Sequence, residues 1–286
     1  MKIKRIAVAL SCLCIYAMCF AKDVKTQGNN NVKEPYYMID FSITACNADI
    51  KVNDISIFKM EINGQMGTKM PANNAIFKSG QQKFSIELTP LKGENMLHEN
   101  AEARLAVELV DATNFDTISK ESFDVLKSSA NRHPVENLYK EFTFNAEVPY
   151  AITVLDEAQD LRTIPHLEDK LKKAYMEIHS MMAEKEFSKL ESILKAKDAV
   201  TAQMLYLSEE ESAVRVEEVI ADLKNKNTRM NPFPSEVVLT IAAGGKLASL
   251  KNKNGDAILA FEDGESETEL HFSFYLPKGS DEFAAF

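Results

Sequence analysis

Tryptophan is absent from the 286-residue chain, and cysteine is scarce. Three of the four cysteines lie within the first 19 residues, so removal of an N-terminal leader would leave Cys46 alone. A single cysteine excludes an intrachain disulfide, and a hydrophobic core must therefore hold the fold together. We expect Cys46 itself to be a small buried side chain in a strand. The missing tryptophan removes the preferred stacking platform for sugars.

Histidine is also scarce, and the five that occur form no pattern of metal ligands. The sequence has no HExxH pair, no nucleophile elbow and no glycine-rich loop for phosphates or dinucleotides. Residues 252–256 faintly resemble a calcium loop, but Asp256 and Glu262 are the only strong carboxylates nearby. We therefore predict a hairpin turn in this segment, and neither a metal ion nor a cofactor in the protein.

The first 21 residues have the pattern of a secretory signal peptide. An uncharged run covers residues 6–20, which is short for a membrane span of about 20 residues, and Ala21 precedes a plausible cleavage site. We expect a mature chain that begins at Lys22, is periplasmic or secreted, and makes no stable membrane insertion. Its polar residues 22–34 are predicted to be a disordered lead-in. The basic head of the signal consists of Lys2, Lys4 and Arg5.

Acidic residues outnumber basic ones, and the formal net charge is -10. Loss of the three cations in the signal brings the charge to about -13. An acidic surface repels phosphate backbones and anionic lipids, which argues against nucleic acid as a partner. It would steer a basic protein towards the chain. A simpler interpretation is that the acidity keeps an exported protein soluble.

Apolar and polar residues alternate with a period of two through residues 35–149. On the first strand the pattern predicts that Phe41, Ile43 and Ala45 share one face. Asn53-Asp54 is predicted to form a two-residue hairpin turn, because both residues tolerate positive φ. About six or seven short strands separated by turns indicate an antiparallel β-sandwich. Further turns are expected at Asn63-Gly64, Ser79-Gly80 and Lys92-Gly93.

A helical period begins after residues 150–165, which we predict to be a linker. Three helices follow, and Ser208 with Glu211 has the pattern of a capping box at the start of the third. Strand patterns then return, and every second residue of 270–276 is expected to face the core. Residues 166–286 are therefore predicted to form an α+β domain, with three helices before an antiparallel sheet of about four or five strands.

The order of elements in residues 165–286 resembles that of NTF2-like and cystatin-like α+β folds. This resemblance implies a curved sheet that wraps a helix. The first half resembles the β-sandwich halves of uncharacterised exported bacterial proteins, a likeness that implies no activity. It is carried by Val52-Asn53-Asp54-Ile55, by Lys78-Ser79-Gly80-Gln81-Gln82 leading into a strand, and by Thr89-Pro90.

Two functions are compatible with this α+β sequence. The first is an exported, non-catalytic binding protein for a protein or envelope partner, with neutralisation of a toxin as one specific version. On this hypothesis no residue is catalytic, and His271 is partly exposed without a carboxylate partner. The alternative is a small hydrolase or isomerase with a site in a cavity of the C-terminal domain, where histidine would act as general base. Its candidate residues, which share one face of a strand, are His271, Ser273 and Tyr275.

Overall fold

A computed structural model describes residues 3–6, 32–131, 133–264 and 266–286, with the backbone alone for strand β1 (Ile3–Ile6). The rest of the predicted signal peptide and most of the predicted lead-in lie outside the described residues. The chain divides into two compact units. The first unit comprises residues 25–152, and the second comprises residues 153–286 together with residues 1–24.

The predicted α+β class is confirmed, since the described residues combine antiparallel sheets with four α-helices, all of them in the second unit. Among the described residues, no helix has both the length and the apolar character needed to cross a bilayer. The strands of the first unit are β2 (Pro35–Val52), β3 (Ile55–Pro71), β4 (Lys78–Thr89), β5 (Glu102–Asp111), β6 (Thr117–Ser122), β7 (Leu126–Lys127) and β8 (Leu138–Ala151). Its two 3-10 helices are Asn73–Ala75 and Ser128–Ala130.

The first unit is one seven-stranded sheet that curls over itself, with β2 as the shared strand. One edge of β2 pairs with β3, while the other edge pairs with β5 along residues 35–44 and with β4 along residues 47–52. The β5–β6 half and the β4–β8 half then face each other across the core. Phe123, which follows β6, packs against Phe84 of β4 and Phe142 of β8, with ring centroids 5.6 and 4.8 Å away.

The sheet bends at Ala45, where β2 changes partner. Ala45 has a φ of 49°, and the pairing with β3 shifts register beside it. The turn predicted at Asn63-Gly64 was wrong, because Gly64 lies inside β3, opposite Ala45. Its φ of 139° is one that glycine tolerates. Ala45 alone lies opposite both Asn63 and Gly64, so the extra residue of this β-bulge belongs to β3, and at the same place the inward face of β2 passes from Ile43 to Cys46. The predicted inward position of Ala45 was therefore wrong.

Two of the predicted turns are confirmed. Asn53 and Asp54 join β2 to β3 with φ values of 50° and 67°, as a mirror-image hairpin turn requires. Lys92-Gly93 forms a turn after β4. Ser79-Gly80 instead lies within β4, where the pairing with β8 is irregular. An irregular strand can thus carry the same residues as a turn.

Cys46 is confirmed as a buried side chain in a strand, with a free thiol. Burial raises the pKa of this thiol to about 11, because the thiolate would be poorly solvated there. Cys46 is therefore protonated and inaccessible in the folded unit.

Glu108 is a buried carboxylate that three strands hold in place. It accepts hydrogen bonds from Lys69 of β3 and, at 2.8 Å, from Lys120 of β6. Lys120 also pairs with Asp40 of β2. Burial alone would raise the pKa of Glu108, but the hydrogen bonds from Lys120 and Lys69 outweigh it and the pKa is lowered. The folded unit therefore stabilises the charged form.

We expect Glu108→Gln to lower the unfolding free energy by about 1–3 kcal/mol at pH 7, because it breaks charge-assisted hydrogen bonds. Since the folded pKa lies below the unfolded value of about 4.3, this stabilisation is complete above the unfolded pKa. It is lost as the pH falls through the folded value, so the two proteins should converge in acid. Urea titrations across this range measure the difference. The exposed Glu121→Gln on β6 is the control, and an equal loss in both variants would contradict the prediction.

The second unit combines the helices with seven strands in addition to β1. Its helices are α1 (Thr153–Asp156), α2 (Leu167–Ala183), α3 (Phe187–Leu205) and α4 (Glu209–Lys224), with 3-10 helices at Leu161–Thr163 and Ala243–Gly245. Its further strands are β9 (Arg229–Met230), β10 (Val237–Ala242), β11 (Leu247–Asn252), β12 (Leu259–Glu262), β13 (Ser266–Leu270), β14 (Phe274–Tyr275) and β15 (Ala284–Ala285).

These strands form two four-stranded sheets rather than the single sheet that was predicted, in the orders β1-β13-β12-β9 and β10-β11-β14-β15.

The capping box at the start of α4 is confirmed: the Ser208 hydroxyl accepts from the Glu211 N–H, and the Glu211 carboxylate accepts from the Ser208 N–H. The amphipathic face of α2 is also confirmed, and Tyr175 is buried at its centre. The Tyr175 hydroxyl donates to the Phe272 carbonyl at 2.6 Å and accepts from the Leu250 N–H at 3.1 Å.

Candidate functional site

A polar cleft with a volume of about 590 Å³ opens on the outer face of the first unit, close to the bend in β2. Eight of its nine lining residues carry a polar or charged side chain, which is unusual for a site that recognises apolar ligands. The lining residues are Ser42, Thr44, Gln65, Glu99, Asn100, Ala101, Glu102, Arg104 and Ser129.

Strand pairing brings the floor of the cleft together. Ser42 and Thr44 occupy the outward positions of β2, because the alternate residues face the core. Ser42 lies opposite Arg104, and Thr44 lies opposite both Glu102 and, across the other edge, Gln65. The walls come from the loop that precedes β5 and from the 3-10 helix that follows β7. The His98 ring shapes that loop by accepting a 3.1 Å hydrogen bond from the Asn100 N–H.

An arginine supplies the positive charge of the cleft. Arg104 donates from Nε to Glu102 at 2.7 Å, and Glu102 also pairs with Lys127 at 3.1 Å. The hydrogen bonds from Arg104 and Lys127 lower the pKa of Glu102, so this carboxylate stays ionised. The Arg104 side chain is 66% exposed, and its terminal amino groups bond to no described residue. Those donors are available to a ligand.

Other lining side chains also retain unused hydrogen-bonding capacity. Those of Thr44, Glu99, Asn100 and Ser129 make no hydrogen bond with a described residue, whereas Gln65 donates to Ser42 at 3.2 Å. The cleft therefore offers both donors and acceptors. Its lining contains no histidine, cysteine or lysine, and none of its serine and threonine hydroxyls is hydrogen-bonded to the carboxylate of Glu99 or Glu102, as an activated nucleophile would be. Chemically, the arrangement suits recognition of a polar ligand.

His271 lies elsewhere, in the second unit, just after β13. Its side chain is 39% exposed, as expected, yet Nε2 is buried and has no hydrogen-bond partner among the described residues. The expectation that no carboxylate lies beside it was wrong, since Glu269 Oε2 is 3.6 Å from Nε2. The spacing explains this contact, because residues two apart in extended chain project to the same side. Burial lowers the pKa of His271, although Glu269 acts in the opposite direction.

Ser273 and Tyr275 share a side of the chain with His271, and the intervening Phe272 and Phe274 are buried. The alternation predicted for residues 270–276 is therefore confirmed, although residues 271–273 are not part of a regular strand. No hydrogen bond links the three candidate side chains to one another. Ser273 is held by its backbone, which exchanges hydrogen bonds of 3.3 and 2.7 Å with Phe286.

The remaining sequence candidates have structural roles. Asn252 accepts from the N–H groups of Asn254 and Asp256 at 2.8 and 3.0 Å, which closes the turn in residues 252–256. Within the described parts of the chain, no three histidine, cysteine or acidic side chains are grouped so that they could hold a metal ion. His179 donates from Nε2 to the Asn231 carbonyl at 2.9 Å and thereby fixes the loop before β10.

No protein-family model matches this chain, and neither a curated protein nor a solved structure matches it. The resemblances stated from element order therefore stay predictions.

Sequence reasoning missed the cleft, because its residues come from four separate segments. The available signal was the polar face of β2, on which Ser42 and Thr44 follow one another at alternate positions.

Proposed function

We propose that this chain is an exported, non-catalytic binding protein, and that the polar cleft of the first unit holds part of a protein or cell-envelope partner. The observation that carries the proposal is the exposed Arg104 guanidinium, whose terminal donors are unused. Around it stand the unused acceptors of Glu99 and Asn100. A segment that presents a carboxylate or carbonyl to Arg104 and donors to these acceptors would complement the cleft.

Binding is favoured over catalysis by the contrast between the cleft and the surroundings of His271. The cleft has volume, but its hydroxyls are not hydrogen-bonded to its carboxylates, whereas His271 has a neighbouring carboxylate but does not line the cleft. A hydrolase or isomerase needs a base and a substrate cavity at one place. The side of this segment that faces away from His271 offers no cavity for a substrate, since Phe272 and Phe274 on that side pack in the core.

The proposal is tested by comparing two arginine variants of the chain from Lys22 as bait for an envelope extract. Arg104→Ala should reduce capture of the principal partner by about tenfold, because the charge-assisted hydrogen bonds are lost. Arg162→Ala is a matched control: Arg162 is 61% exposed and also pairs with an acid two residues earlier, Asp160. Capture should be unchanged in this control.

Two outcomes would overturn the proposal. One is that the wild-type chain captures no partner in stoichiometric amount. The other is that Arg104→Ala captures the partner as well as Arg162→Ala does. Both variants replace an exposed arginine, so folding should be retained, and slow reaction of Cys46 with a thiol reagent would verify this for the first unit.

A further inference from the structure

A second surface, independent of the polar cleft, lies along helix α2. There a groove of about 400 Å³ is lined by residues that recur at helical spacing and form one stripe. We call this stripe the α2 groove. Its lining residues are Lys173, Met176, Glu177, Ser180, Met181, Glu184 and Glu186.

The floor of the α2 groove is apolar. Met176 is 53% exposed, although the opposite face of α2 is buried in the core, and Met181 beside it is only partly buried. Methionine is flexible and polarizable, and it adapts to partners of different shape. Exposed Met176, with the accessible part of Met181 beside it, therefore provides contact area for an apolar side chain of a partner.

The rim of the α2 groove is acidic towards the end of the helix. Glu177 and Glu184 form no ion pair with a described residue, whereas Glu186 is paired with Lys189 at 2.7 Å. The last turn of α2 contains no basic residue, so the negative end of the helix dipole adds to these charges. Lys173 is the single cation of the lining and lies at the other end. The electrostatic field thus favours a cationic ligand whose positive charges lie near the C-terminal end of α2.

The length of the α2 groove indicates the shape of that ligand. Residues 173 and 184 are 11 positions apart, which is about 16 Å or three turns along the helix axis. A second helix packed alongside would place apolar residues on the methionines at each turn. We propose that the α2 groove binds a cationic amphipathic helix of a protein partner, with its Lys or Arg residues facing Glu177 and Glu184.

The test uses the chain from Lys22 and a fluorescent helical peptide of about 14 residues built from leucine and lysine. Binding is followed by anisotropy at about 0.15 M salt, where long-range attraction is screened. Met176→Asp should weaken binding by about tenfold, and Glu177→Lys with Glu184→Lys should do the same. Val214→Asp and Glu218→Lys, both exposed on α4, are matched controls and should leave affinity within about twofold.

Met176→Asp separates docking from general attraction of a cation to an acidic protein. The substitution adds a negative charge, so general attraction predicts equal or tighter binding, whereas the groove predicts weaker binding. Unchanged binding by this variant would overturn the proposal, as would equal affinity for a peptide of the same composition with a scrambled, non-amphipathic order. Self-association of the wild-type chain that Met176→Asp abolishes would assign the groove to a second copy and would also overturn it. Arg104→Ala should bind the peptide normally, which keeps this result distinct from the test of the polar cleft.

Discussion

Replacing Tyr175 by phenylalanine should lower the unfolding free energy of the second unit by about 2–4 kcal/mol. The Tyr175 hydroxyl satisfies the Leu250 N–H and the Phe272 carbonyl at the same time, and all three groups are buried. Phenylalanine keeps the ring and its contact with Phe274, at a centroid distance of 4.9 Å. It leaves two backbone groups without their partner, however, and each such buried group costs roughly 1–3 kcal/mol.

Circular dichroism at 222 nm can follow this unit, because all four α-helices of the described residues belong to it. Urea titration of wild type and variant gives the difference in free energy. Tyr275→Phe removes the same group from a partly buried tyrosine whose hydroxyl forms no hydrogen bond with a described residue, so its effect should stay below about 0.5 kcal/mol. Similar losses in both variants would show that the Tyr175 bridge contributes no stability.

Local rules account for the features that the sequence predicted well. The capping box of Ser208 and Glu211 needs only residues three apart, and the hairpin at Asn53-Asp54 needs only two residues that accept positive φ. The buried face of α2 follows from helical periodicity alone. The two partners of the Tyr175 hydroxyl lie 75 and 97 residues away, and no local pattern points to them.

Features that depend on strand pairing were missed. Strand β3 contains Asn63-Gly64 near its middle, so its sequence indicates a turn there, yet pairing with β2 keeps it extended for 17 residues. The shift of the inward face at Ala45 follows from a bulge whose position is set by the partner strands. The polar cleft beside this bend forms only when β2 pairs with β3 on one edge and with β5 on the other. The sequence could predict that these residues are exposed, but it could not predict that they lie next to one another in the fold.

Asn73 shows the same limit at a single side chain. Strand β3 ends at Pro71, which has no N–H to donate, and the Asn73 side chain continues the pairing of β2. Its Oδ1 accepts from the Tyr37 N–H at 2.7 Å, and its Nδ2 donates to the Pro35 carbonyl at 3.0 Å. The neighbouring Asn74 has the same chemistry but is exposed. Sequence alone cannot distinguish the two, because burial is decided by the closing of the sheet.

Asn73→Ala should therefore destabilise the first unit by about 2–4 kcal/mol, since it removes the acceptor of the buried Tyr37 N–H and a donor to the buried Pro35 carbonyl. The chain from Lys22 has Cys46 as its single cysteine, and this thiol reacts only after the core opens. When closing is faster than labelling, the reaction rate follows the population of the open state. Asn73→Ala should then speed labelling by about 30- to 700-fold, the factor that corresponds to this loss. Asn74→Ala should leave the rate within about threefold; if it matched the rate of Asn73→Ala, the effect would come from the 3-10 helix and not from the amide that extends β2.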